Sequence, residues 1–533
     1  DSVRPEPVSA PEYELAAAPY TSLQQVWAPR EPTPEVRSMI DDGTLSVYDH
    51  SRYEGHGLGV SLEPGLPWIE HLELAPGFPG EGGRRRSLAY ILVIADPQLI
   101  DEESPIRMDG YDKVYRPHGQ LTPQLFEAHV RTARRISDLS ARRFDFTLLP
   151  GDLTDTTQQN ELAWMIDILN GGVVDPDSGV DDDPVPGPGN DFNDPFLSAG
   201  TNWPWYPALG NHDVLHVGGF GLIDAALREA AQGDRLFTAS TLSGIWGGYV
   251  AADQPDSRVV LDDSVVTPAD PRRLPLYKKE FLQALHDAEG LPAGHGFSQE
   301  DVDAERGYYS AHPLEGRPLR LIVLDSTDAS EDSLGIAQKG SMDAVQLSWL
   351  HEELIAAESN RELVIVMSHH RLEDFHEQSE APAELVKSLL VESENVVLHI
   401  AGHGHTDRKR IQTDEGRRGY WELMSASTID FPLQSRIIEL VDEGNGYLSI
   451  YVTNFDHNSR EGSLAHKARM LAGAKLAFGY TGFDGNTSDF WARDVEAQNL
   501  LIRLKLPDDI SSNISGFDDW ATVIESLETL SAF

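Results

Sequence analysis

The 533-residue chain contains no cysteine, which excludes disulfides, thiolate metal sites and cysteine nucleophiles together. Basic residues are scarce: 42 Lys+Arg stand against 87 Asp+Glu, for a formal charge of −45. The resulting field repels polyanions, so a binder of long nucleic acid that works by phosphate neutralisation is excluded and acidic lipid surfaces are disfavoured. Long apolar runs are also missing. The longest, about Leu88 to Ala95, is bounded by Arg86 and Asp96 and falls well short of the ~18 residues of a membrane span. Any bound metal must rely on oxygen and nitrogen. With 40% apolar and 24% charged residues, what remains is a globular composition long enough to bury a large core.

The first twenty residues, DSVRPEPVSAPEYELAAAPY, have neither a positive n-region nor an apolar core. They read as the start of a mature exported chain, periplasmic or extracellular, with a trimmed cytoplasmic chain as the alternative. Residues 1–85 carry repeated proline and glycine and read as an irregular arm. At Leu88 the character changes, because SLAYILVIA is a β-prone run of the kind that forms a strand buried on both faces. Five more follow: FDFTLL (144–149), WYPAL (205–209), LRLIVL (319–324), ELVIVM (362–367) and NVVLHIA (395–401). Helical patterns such as LFEAHVRTARRISDLSARR and AVQLSWLHEELIAAES lie between them, so strand and helix alternate and the class is α/β.

The main domain therefore spans 86–457. It is interrupted at about 170–205 by an acidic, Pro/Gly-rich loop, and at about 218–306 by a segment long enough to form a lid. The acidic loop starts like a calcium loop, but Val180 and Pro186 occupy the turn-glycine and bidentate-glutamate positions, so it reads as a solvated loop. Residues 458–533 read as a helical extension packed on the core. Oligomeric state leaves no signature.

Ligands of α/β sheets bind at the carboxyl ends of strands. There the chain places ADPQL (95–99), GDLTD (151–155), GNHD (210–213), DST (325–327), SHH (368–370) and GHGH (402–405). Singly these have ordinary explanations: GD is a turn and helix cap, GNHD a loop tolerant of left-handed backbone, paired histidines a surface feature. GHGH is more specific, since two imidazoles around a glycine suit chelation from a tight loop. Together, each behind a buried strand, they point to a pair of divalent cations. Such a pair needs a bridging carboxylate, for which Asp152 is the candidate, with imidazoles and carboxylates around it. Asp96 and Asp152 against two dications and a hydroxide leave roughly +1, so the site attracts phosphate within an acidic chain.

The series GDLTD, GNHD, SHH and GHGH resembles the calcineurin-like metallophosphoesterase superfamily, over roughly Leu88 to His457. The resemblance implies a four-layer α/β/β/α sandwich and a two-metal hydrolase of small phosphate esters, acting by in-line attack of a metal-bridging hydroxide. It implies a first cation on Asp96, Gln98, Asp152 and His405, and a second on Asp152, Asn211, His369 and His403. Asn211 and His212 would meet the substrate, His212 would serve the leaving oxygen, and Asp213 would orient His212. Asp155 matches the outer acid of the GDxxD motif.

Two departures bear on the chemistry. Gln98 stands where most members have histidine, and its neutral oxygen tilts the choice among Mn, Fe, Zn and Mg towards Mn. This feature is similar to the manganese-dependent ADP-ribose and CDP-alcohol pyrophosphatases, which makes a nucleotide-type pyrophosphatase an alternative. Purple acid phosphatases carry tyrosine where Asp155 stands, so their ferric centre is not expected. His370 competes with His369 as ligand. His369 is preferred because it comes first after the strand, leaving His370, like Asp325, to an outer hydrogen-bonding role. Arg371 reads equally as a substrate-phosphate contact and as a surface arginine. A metal-binding protein without catalysis is the remaining alternative.

Overall fold

The computed structural model describes residues 5–9, 19–107, 115–219, 223–237, 261–327, 338–414, 418–479, 494–517 and 521–522. All six apolar runs form strands, and they divide between two large mixed sheets. In chain order the strands of these sheets are β1 (Ile69–Leu74), β2 (Arg86–Val93), β3 (Phe146–Leu149), β4 (Trp205–Pro207), β5 (Tyr309–Ala311), β6 (Leu319–Val323) and β7 (Leu363–Met367). They continue as β8 (Val396–Ala401), β9 (Arg408–Asp414), β10 (Arg418–Met424), β11 (Gln434–Asp442), β12 (Tyr447–Asp456) and β13 (Leu500–Lys505). The first sheet runs β1-β13-β12-β11-β2-β3-β4, and the second β5-β6-β7-β8-β10-β9.

Each sheet has a parallel heart. In the first, β2, β3 and β4 pair in parallel, with Ile91 beside Phe146 and Thr147 beside Trp205. In the second, β6, β7, β8 and β10 do so, with Leu321 beside Ile365 and Ile365 beside Leu398. Period-two alternation then builds the layers. Leu319, Leu321 and Val323 of β6 share one core with the first sheet. Their alternate Ile322, with Val364 and Val366 of β7, packs instead against Leu350, Leu354 and Ala357 of the Ala344–Asn360 helix and Val386 and Leu390 of the Ala383–Glu392 helix. The Thr122–Leu139 and Gln159–Asn170 helices pack on the first sheet through Phe126, Val130, Ile136, Met165 and Ile168. Burying each such side chain contributes about 1.5–3 kcal/mol. The result is the α/β/β/α sandwich, with two sheets inside and helices outside.

Three segments differ from their sequence reading. The arm expected to be irregular holds a two-stranded antiparallel ribbon (Gln25–Pro29 with Val60–Pro64), a helix at Pro34–Asp41 capped by Thr33, and edge strand β1. Among the described residues, the tail expected to be helical has helices at Leu464–Lys475 and Asp508–Ser515, but between them it supplies β13, which inserts between β1 and β12 with Leu500, Ile502 and Leu504 buried. The acidic loop is not solvated throughout: Asp183 and Asp194 are buried, and backbone N–H groups of Gly187, Val185 and Asn190 bond to Asp183, Asp191 and Asp194. Of the 218–306 insertion, residues 220–222 and 238–260 lie outside the described residues, which limits the lid reading to its remainder. No described helix is long and apolar enough to cross a membrane.

Candidate metal centre

The loops that leave β2, β3, β4, β7 and β8 meet at one end of the sandwich, and their backbone there is unusual. Asp96 (φ 47°), Gln98 (φ 37°), Asp152 (φ 54°), His403 (φ 70°) and His405 (φ 55°) all lie in the left-handed region, which non-glycine residues rarely adopt and which concentrates at functional sites. Tight apposition accounts for the glycines between them. A Cβ on Gly151 (φ 92°) would lie 2.7 Å from His369 Nδ1, and one on Gly210 would lie 2.1 Å from Asp152 Oδ1. Any side chain at either position would force the loops apart.

These loops bring together every ligand candidate read from the sequence. Asp96, Asp152 and His405 offer atoms within 4.8 Å of one another, as do His369, His370 and His403. Asp152 lies between the two groups. Its Oδ1 accepts from the His212 N–H at 2.8 Å, while Oδ2 sits 2.9 Å from Gln98 Nε2 and 3.3 Å from His369 Nε2. Asn211 Oδ1 lies 2.9 Å from His369 Nε2 and 3.2 Å from His403 Nδ1, and its Nδ2 donates to Gly218 O, which fixes the oxygen towards the histidines. The His369 Nδ1–H donates to Pro150 O at 2.8 Å, leaving Nε2 as the atom directed into the cluster. Asp96 Oδ1 accepts from the His403 N–H, yet its Oδ2 is buried without a hydrogen-bond donor. An anionic oxygen held dry and unpaired is costly unless a cation meets it, so the donor set fits divalent metal.

The calcineurin-like phosphoesterase family model matches residues 89–407, more than half of the chain. The chain belongs to the calcineurin-like phosphoesterase family. It is thereby a metal-dependent phosphoric ester hydrolase, of a family built around a dinuclear divalent centre. No curated protein sequence matches it. Among solved structures, a dimetal phosphatase from Danio rerio is 13% identical over 70% of this chain and 99% of its own, with a TM-score of 0.37. The sulfate thiohydrolase SoxB of Thermus thermophilus is 12% identical over 73% of this chain and 60% of its own, at 0.29.

Electrostatics in this phosphoesterase follow from burying so many polar groups together. Burial opposes the charged form of His369, but the Asp152 and Asp96 carboxylates outweigh it and push the imidazole up to about 9. His405 behaves alike: burial is offset by Asp430 and Asp96, and it too reaches about 9. His403 goes the other way, to about 4, through burial and the neighbouring His369 charge. Without metal the site therefore retains protons as its positive charge. Asp213 is pushed up to about 7 by burial and by Asp152.

Around the ligands the geometry revises several assignments. Asp213 does not touch the His212 ring: its oxygens accept from the N–H groups of Leu153, Thr154 and Gly210, clamping the β3 and β4 loops together. Asp155 takes the orienting place, with its carbonyl 3.0 Å and its Oδ1 3.3 Å from His212 Nδ1. His370 has both nitrogens engaged, Nδ1 with Ser326 Oγ at 3.0 Å and Nε2 with Gln338 O at 3.2 Å, which argues against its ligating a metal. The Arg371 fork is occupied by Asp374, at 2.9 Å through both Nε and Nη2, and so is not presented to a substrate. Asp325 bonds Lys278 and Thr327, and its neighbour Ser326 bonds His370. Gln98 is in the cluster, but its oxygen faces Arg116. Two residues escaped sequence reading altogether. Asp430 accepts from His405 Nδ1–H at 2.8 Å, and Arg116 bonds Asp430 at 2.9 Å.

Proposed function

We propose that the chain hydrolyses a small phosphate monoester or diester at a two-cation centre, with manganese as its preferred metal. The observation that carries this reading is Asp152: one buried carboxylate that belongs to the Asp96/His405 group and whose Oδ2 also lies 3.3 Å from His369 Nε2 of the other group. Bound cations would supply Lewis acidity, neutralising phosphoryl oxygens and lowering the pKa of water. Asp96, Asp152 and His405 would hold one, and Asp152, Asn211, His369 and His403 the other.

The remaining work falls to the chain's own groups. His212 Nδ1–H donates to the Asp155 carbonyl, so Nε2 is the ring atom available to protonate a leaving oxygen. Burial works against that charged form, but Asp152 and Asp155 prevail and raise the imidazole above its ordinary value. Asp213 acts by holding two loops in register. The formal charge of −45 favours small substrates whose phosphate is drawn by local metal charge over long polyanions.

The test is turnover of a panel of aryl phosphate monoesters and diesters with added Mn²⁺, against chelator-treated protein. Metal-dependent release from at least one class is expected. His212→Ala should keep both metals and lose rate most on esters with poor leaving groups, about 10²–10⁴-fold. Two bound metals with no turnover across the panel would leave the non-catalytic alternative standing instead.

A further inference from the structure

Gln98 stands apart from the other members of the cluster in what it turns towards the others. Its Oε1 accepts a hydrogen bond from Arg116 Nη2 at 2.9 Å, while its Nε2 donates to Asp152 Oδ2 at 2.9 Å and lies 3.4 Å from His405 Nε2. The amide thus points its donor at the ligands and its acceptor away from them. Rotating it by half a turn would set N–H against guanidinium N–H, a pair with no acceptor between them. Arg116 is itself anchored: Nε and Nη2 reach the Asp430 carboxylate at 3.2 and 2.9 Å, and Nη1 lies 3.5 Å from Asp155 Oδ1. The guanidinium is nearly buried, so the arrangement is built into the wall of the site, with little reach into solvent.

We infer that Gln98 is not a metal ligand, that Arg116 keeps it from becoming one, and that the first cation rests on three protein groups, Asp96, Asp152 and His405. The inference builds on the two-cation reading of the site. Those three groups converge within 4.8 Å without Gln98, and the donor-free Asp96 Oδ2 belongs to them. The second position keeps four protein ligands, Asp152, Asn211, His369 and His403. The two positions therefore differ in strength: the first is held more loosely and leaves more of its coordination sphere to water and substrate. Gln98 acts as a positioning residue, bonding Asp152 on one side and Arg116 on the other.

The experiment is a Mn²⁺ titration of the metal-stripped full chain, with free Mn²⁺ followed by electron paramagnetic resonance. It compares wild type, Gln98→Ala, Arg116→Met and the double variant. Wild type should take up two ions with unequal affinity, and Gln98→Ala should change the weaker Kd by less than about threefold. Arg116→Met should tighten that Kd by about fivefold or more, partly by removing a positive charge and partly by releasing the Gln98 oxygen. Adding Gln98→Ala should then remove about half of the gain, a coupling that charge removal alone does not produce. Arg116→Lys keeps the charge but loses the fork, and serves the same comparison if the methionine variant does not fold. A tenfold or greater weakening in Gln98→Ala alone would show that the glutamine ligates and overturn the inference. A double variant that keeps the whole gain would overturn the lock. A wild-type chain that takes up no Mn²⁺ would sink the two-cation reading itself, a different failure from either of these.

Discussion

The loops of the first sheet, after β2 and β3, bring the carboxylates Asp96 and Asp152 to the site, with Asn211 following β4. Those of the second sheet, after β7 and β8, bring only imidazoles: His369, His403 and His405. Either half alone would be poorly balanced, since two buried carboxylates repel each other and three buried imidazoles offer no anionic charge to a cation. Joined, each satisfies the other. Asp152 and Asp96 from the first sheet push His369 up to about 9, and His405 reaches about 9 through Asp430 together with Asp96. Bound dications would take the place of the protons these imidazoles hold.

The largest way to break this complementarity is Asp152→Asn, because that carboxylate is shared. Both metals are expected to be lost and turnover to fall by at least about 10³-fold, checked by elemental analysis beside the ester assay. His403→Ala, on the second sheet, should instead leave about one ion per chain; equal losses in the two variants would show that the sheets do not contribute as described.

A finer division runs within the first sheet. Asp155→Asn should lower turnover about 10–100-fold on poor leaving groups, through a misplaced His212, while barely changing stability. Asp213→Asn should show the opposite pattern and cost about 1–3 kcal/mol in urea unfolding, since a carboxylate bonded by three loop N–H groups is disturbed. A leaving-group series and an unfolding curve on both variants separate the two roles.

The smallest effect is on the stability of the metal-free chain with pH. Buried His118 and His216 near the first sheet are pushed down to about 4, and His129 to about 3, chiefly by desolvation. They stay neutral when folded but bind protons near pH 6.5 when unfolded. Their contribution is therefore intact above 6.5 and lost as pH falls towards 4. His369 and His405 have the reverse sign: their contribution is intact below 6.5 and lost as pH rises through 9. Urea unfolding of stripped protein should show an alkaline decline as pH rises through 9. Saturating metal should abolish the alkaline decline.

The six strands and the order of the ligand loops were legible because parallel strands buried on both faces appear as unbroken apolar runs, and the loop after each had to lie at one edge. Side-chain direction was not legible. Whether Asp155 or Asp213 meets His212 depends on the left-handed turn at Asp152 and on which N–H groups face a carboxylate, and no spacing encodes either. Asp430, which touches His405, and Arg116, which touches Gln98 and Asp430, escaped because they reach the cluster from outside the six strand-end loops. Edge strand β1 and late strand β13 were missed for another reason: their runs are short and alternate only partly, with burial completed by pairing to each other and to β12.

That pairing of β13 between β1 and β12 has a consequence for how the molecule comes into being. A ribosome delivers both site carboxylates by residue 152 and the last imidazole only at 405, then must add Leu500–Lys505 before the first sheet acquires its β13 partner. A nascent chain thus carries the acidic half of the centre, Asp96 and Asp152, before His369, His403 and His405 are made. A fragment halted before Leu500 would present the long, apolar edge of β12 as a site for unwanted strand association.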